Sequence, residues 1–143
     1  IITACVYFIL WLGAWDQLLG NYNGICIMSL GFMMSRCLSG IGVITFPKAR
    51  TDGTVAEFSR NASEIVVRNV LITMFVILAA LMIWVDPVLG VLAAVSALLV
   101  FWWYHHMALK YFGGTTGDLS GFFLCICEVV MALVLALGGT FNL

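Results

Sequence analysis

Charge is what this sequence has least of. Its 143 residues include six Lys and Arg and seven Asp and Glu, together 9%, where a soluble domain carries about a quarter. That scarcity excludes an ordinary soluble domain, a disordered tail and a nucleic-acid-binding module. Cysteine pairing is missing as well. Cys5, Cys26, Cys37, Cys125 and Cys127 all lie in apolar stretches with no C-x-x-C spacing, which excludes a disulfide framework and a thiolate zinc site. No Walker loop, Rossmann fingerprint, zincin motif or nucleophile elbow is present. The two histidines, His105 and His106, are adjacent and would face different sides of a helix, so they share no metal. Ile1–Leu12 lacks the basic start and small-residue cleavage site of a signal peptide. The chain opens at Ile1 inside an apolar run and reads as a fragment of a longer protein.

What remains is apolar. Hydrophobic residues make up 64% and the mean hydropathy is +1.14. A membrane-crossing helix takes about 20 such residues. Five runs qualify: Ile1–Leu19, Gly24–Phe46, Arg68–Val85, Val88–Tyr104 and Asp118–Leu137. Their continuity favours helices over the alternating strands of a barrel. The expected fold is all-α, a polytopic integral membrane helix bundle of about five transmembrane helices, as a single transmembrane domain over residues 1–143.

Lys48, Arg50, Arg60 and Arg68 fall between the second and third runs, and Lys110 between the fourth and fifth. The other two connections carry no cation, so the basic loops are expected on the cytosolic side. Two long loops, Pro47–Val67 and His105–Gly117, then open on one face. The external connections are too short to build a site.

Three features stand out. Arg36 lies about ten residues before Pro47, hence roughly 15 Å deep, where an arginine costs about 2.5–3.5 kcal/mol on insertion scales. Either it snorkels to the surface, or it turns inward to a carboxylate or a phosphate. Lys48 and Arg50 stand just beyond the membrane and can hold phosphates there, or serve only as a topology signal. Gly113-Gly114-Thr115-Thr116-Gly117-Asp118 precedes the last run. Its glycines allow close ligand approach, and Asp118 either caps the helix or acts in a site. Asp118, Gly121, Cys125 and Glu128 recur on one helix face. Glu128 is thereby placed inside the membrane, where it needs a proton, a cation or a partner. Arg36, at similar depth, is one possible partner.

These residues also carry a resemblance. Met34-Ser35-Arg36, then Phe46-Pro47-Lys48-Ala49-Arg50 with Asp52-Gly53-Thr54 and Phe58, then Gly113-Gly114-Thr115-Thr116-Gly117-Asp118 with Gly121 and Glu128, resemble the C-terminal part of the cobalamin synthase (adenosylcobinamide-GDP ribazoletransferase) family. The resemblance implies a Mg²⁺-dependent enzyme of the bacterial or archaeal cytoplasmic (inner) membrane, with its site facing the cytosol. Its partners would be the lipid bilayer, adenosylcobinamide-GDP and α-ribazole or its 5′-phosphate, with GMP released. On that basis Asp118 and Arg36 are the expected catalytic residues, and Asp118 and Glu128 the expected metal ligands. Lys48, Arg50, Gly113, Gly114 and Gly117 are expected at the substrate phosphates. The family's D-G-x-x-D-x-x-D-G motif is absent from this sequence, so this fragment alone is expected to be inactive. Cys125 stands where family members often carry glutamate. Two other readings fit the residues without the resemblance: a small transporter or channel subunit with Arg36 and Glu128 lining a polar path, and a non-catalytic membrane scaffold.

Overall fold

The computed structural model describes residues 2–47 and 64–140. Among these, 92% are helical and no strand forms. Five helices follow in order: α1 (Ile2–Leu18), α2 (Tyr22–Thr45), α3 (Glu64–Val85), α4 (Pro87–Phe112) and α5 (Gly117–Thr140). The last four are each long and apolar enough to cross a membrane. Helix α1, at 17 residues, is a shorter apolar helix.

Two expected boundaries move by four residues or more. Helix α3 begins at Glu64 rather than Arg68, because Ile65, Val66 and Val67 continue the apolar run ahead of Arg68 and include no helix breaker. Helix α4 does not stop at Tyr104 but runs on to Phe112. The expected long loop His105–Gly117 is therefore mostly helix. His105, His106 and Lys110 lie on its final turns, where a cation suits the carbonyl end of the dipole. The helix stops only at Gly113, whose φ of 67° is left-handed, a conformation that costs glycine little and other residues more.

Helix α2 is the centre of the bundle and touches each of the other four. Its buried residues, from Gly24 through Met28, Met34, Ser35 and Leu38 to Ile44, lie on several sides of the helix. Helix α3 turns one stripe inward, with Leu71 and Phe75 partly buried and Leu78 and Met82 fully so; most of its remaining surface faces outward. Lipid tails are as apolar as leucine, so close backbone approach, not water exclusion, holds such helices together. Gly40 and Gly90 permit it. A Cβ on Gly40 would sit 2.9 Å from the Leu71 side chain, and one on Gly90 would sit 2.4 Å from the Met82 carbonyl oxygen.

The α3–α4 hairpin is closed by Asp86. Its carboxylate accepts from the amides of Val88 and Leu89, both at 3.1 Å, and Pro87 follows at the first helical position. At the same end Asn21 caps α2, accepting from Gly24 N–H at 3.2 Å. Close packing of Gly139 against Asn21 and of Gly138 against Leu89 brings the end of α5 there too. Pro47, Phe112 and Gly117 gather at the opposite end of the bundle.

Candidate active site

That second end is built around Thr115. The αL turn at Gly113 reverses the chain after α4, and the amides of Gly113 and Gly114 both donate to the Ala108 carbonyl. Thr115 N–H donates to the Pro47 carbonyl at 2.8 Å. The exit of α2 and the turn into α5 are thus joined backbone to backbone. The Thr115 hydroxyl meets the Tyr104 hydroxyl at 2.5 Å, and both residues are almost completely buried. Helix α5 is then capped by Thr116, whose Oγ1 accepts from Leu119 N–H at 3.3 Å. The alternative in which Asp118 is the cap is thereby overturned. A cap residue lies outside the first turn and aims back at it, whereas Asp118 lies inside that turn and is exposed. Its carboxylate remains available for other chemistry, in a place where the helix dipole favours negative charge.

Deeper in the bundle a polar seam runs along the α2–α5 contact. Ser39 and Ser120 hydroxyls meet at 2.6 Å. One turn further along α2, Ser35 Oγ donates to Glu128 Oε1 at 3.2 Å. Arg36 Nη1 pairs with the same oxygen at 2.5 Å and also donates to the Phe32 carbonyl at 3.0 Å and to Ser35 Oγ at 3.3 Å. Of the two readings of Arg36, the inward pairing with a carboxylate is the one found. Glu128 is enclosed, with 11% of its side chain exposed, while 59% of Arg36 is exposed. All of these bonds use one guanidinium nitrogen, and the other two make no hydrogen bond among the described residues.

The structure therefore unites Arg36 with Glu128, and it separates both from Asp118. Asp118 and Glu128 lie on one helix, about 15 Å apart along its axis, and while Asp118, Gly121 and Cys125 are exposed, Glu128 turns inward. No cluster of three His, Cys, Asp or Glu side chains occurs among the described residues. Gly113 and Gly114 have committed their amides to Ala108. Gly117 opens α5, where helix geometry leaves N–H groups without intrahelical acceptors. Lys48 and Arg50 lie outside the described residues, although Pro47, adjacent to Lys48, is bonded to Thr115. An apolar groove of about 310 Å³ between α4 and α5, lined by Leu99, Val100, Trp103, Ile126 and Val130, has no polar side chain and belongs to another part of the surface.

Sequence reasoning missed the roles of Tyr104 and Ser120, read Ser35 and Ser39 only as small residues that let helices approach closely, and did not single out Thr115 within its motif. Ser35 and Ser39 stand four apart, on one helix face, and that spacing was the available signal. Tyr104 follows Trp102 and Trp103, an aromatic run of the kind common at membrane interfaces, and nothing local distinguishes its buried ring from the exposed rings of those two neighbours.

The comparisons agree along nearly the whole chain. The family described as cobalamin-5-phosphate synthase matches residues 1–136. Over 140 residues the chain is 39% identical to a protein of Lachnoclostridium phytofermentans named adenosylcobinamide-GDP ribazoletransferase, covering 96% of this chain and 53% of that one. A protein of the same name from Pseudomonas syringae pv. tomato is 26% identical over 137 residues, covering 96% of this chain and 54% of its own length. The chain thus spans about half the length of the curated relatives it matches. No solved structure gives a significant match. With the match running from residue 1 through most of the last helix, to residue 136, and with the glycine turn and the α2 exit joined at Thr115, the chain belongs to the cobalamin-5-phosphate synthase family.

Proposed function

We propose that this chain forms part of a membrane-bound transferase that joins α-ribazole, or its 5′-phosphate, to adenosylcobinamide-GDP and releases GMP. In this reading a ribazole hydroxyl oxygen attacks the pyrophosphate phosphorus that carries the cobinamide. A new P–O bond forms, the P–O bond to GMP breaks, and the hydroxyl proton is lost to solvent or base. Such transfer depends on in-line positioning and on neutralising the phosphate oxygens more than on covalent catalysis.

The observation that carries the proposal is the Thr115–Pro47 bond at 2.8 Å, in a chain of this family. It holds Pro47, which precedes Lys48 in the sequence, beside the turn that presents Gly117 and Asp118. In this reading the cations that follow Pro47 in sequence act with the Asp118 carboxylate at one end of the bundle, on the side where basic loops are expected to be cytosolic. Lys48 and Arg50 neutralise phosphate oxygens. Gly113 and Gly114 shape the turn so that Gly117 offers its amide at the start of α5.

Asp118 fits as one ligand of Mg²⁺, an ion commonly bound by one or two carboxylates together with substrate phosphates and water. Glu128 has its charge met by Arg36, and the metal role falls to Asp118. Mg²⁺, when bound, would supply charge neutralisation at the pyrophosphate. Arg36 has guanidinium nitrogens that no described residue engages, and in this reading they take an anionic group deeper in the site.

The test is GMP release by the full-length protein in membranes, supplied with adenosylcobinamide-GDP, α-ribazole and Mg²⁺. The expected result is release that depends on both substrates. A well-folded sample that releases no GMP with either α-ribazole or its phosphate overturns the proposal.

A further inference from the structure

The Tyr104 hydroxyl lies outside every role assigned above, yet it occupies the junction of the site. Its ring is held by three helices. Phe46 at the end of α2, Phe101 on α4 and Phe123 on α5 surround it, with ring centroids 5.6, 6.4 and 4.9 Å away. A Cβ on Gly42 would come within 3.3 Å of the same ring, so α2 approaches it closely. Tyr104 is 1% exposed and Thr115 2%, so water does not compete for the 2.5 Å contact between their hydroxyls. Thr115 in turn sets the α2 exit through its amide bond to Pro47.

We propose that Tyr104 is a positioning residue. Its hydroxyl fixes Thr115, and Thr115 fixes the distance between the Pro47 exit and the first turn of α5 where Asp118 stands. This rests on the transfer reading above. A rigid ring wedged among three helices transmits the geometry of the bundle to a short turn that has glycine on both sides and little stiffness of its own. Losing the hydroxyl leaves a buried Thr115 oxygen unpartnered and free to rotate. A displacement of about 1 Å at a reacting centre is enough to cost about 100-fold in rate.

The experiment compares Tyr104→Phe, Thr115→Val and Thr115→Ser in the full-length protein, with two readouts. The first is hydrogen exchange at the Thr115 amide, which needs no turnover. The second is the split between kcat and KM for GMP release. Tyr104→Phe keeps the ring, so the bundle should fold. Exchange at Thr115 should quicken about 10-fold or more, and kcat should fall about 10–100-fold with KM within about threefold of wild type. Thr115→Val should match Tyr104→Phe, and Thr115→Ser, which keeps the hydroxyl, should restore both readouts. Unchanged exchange in Tyr104→Phe overturns the latch. Faster exchange with unchanged kcat overturns the positioning role. A wild-type protein without GMP release overturns the transfer reading instead, and the exchange measurement then decides the latch by itself.

Discussion

Arg36 of α2 and Glu128 of α5 are joined by an ion pair of 2.5 Å, and Ser35 donates to the same carboxylate oxygen. This pair accounts for two charges that the sequence places at mid-depth. Each alone is costly in lipid. Together they cancel, and Ser35 and the Phe32 carbonyl take up further bonding capacity. A fully buried pair that loses one partner costs about 3–5 kcal/mol. Arg36 is 59% exposed, so its replacement should cost less, about 1–3 kcal/mol. Arg36→Ala should therefore lower the denaturant midpoint in detergent. Adding Glu128→Gln should recover part of the loss, since the orphaned carboxylate goes with it. A double-mutant cycle showing strict additivity contradicts the pairing.

Asp118 should separate activity from stability. Thr116, not Asp118, caps α5. Asp118→Ala should thus abolish GMP release while leaving the unfolding midpoint of the full-length protein close to wild type. A variant with normal turnover removes Asp118 from the site.

The converse applies to Thr116. Thr116→Val removes the cap on Leu119 N–H, and loss of a cap costs about 0.5–2 kcal/mol. Thermal unfolding should shift down, and amide exchange should quicken in the first turn of α5 rather than at its centre. Unaltered exchange there contradicts the capping assignment.

The α3–α4 hairpin gives a steric prediction. A Cβ on Gly90 would lie 2.4 Å from the Met82 carbonyl oxygen, a backbone atom that no side-chain rotation can move. Gly90→Ala should force the hairpin open and reduce the amount of folded protein recovered from membranes. Asp86→Ala, which removes a cap bonded to Val88 and Leu89, should cost only about 1 kcal/mol. Equal yields for Gly90→Ala and wild type contradict the close approach.

The helices were legible in the sequence because lipid imposes one rule on every residue of a span: be apolar and bond the backbone internally. Pro87 and the polar stretch after Phe46 marked two ends. The end of α4 was misread at Tyr104 because aromatic residues commonly mark the membrane interface. The helix ends instead where backbone geometry forces it, at the αL residue Gly113. Within the site, Arg36 and Glu128 were visible as anomalies, since a charge in an apolar run stands out by composition alone. Their contact was only one possibility, because depth along two helices says nothing about which faces meet. Tyr104 and Thr115 were invisible as a pair for a similar reason. Each is ordinary in its own segment, and only the packing of α2, α4 and α5 closes them on one another.

The account depends on the Lys48–Arg50 segment and Asp118 opening at the same, cytosolic, face. Cysteines placed singly at Lys48, Arg50 and Asp118 in a background lacking the five native cysteines test this in sealed vesicles of known orientation, using a membrane-impermeant maleimide. The account predicts that all three label from the cytosolic side and none from the other. Labelling of Arg50→Cys and Asp118→Cys from opposite sides contradicts it.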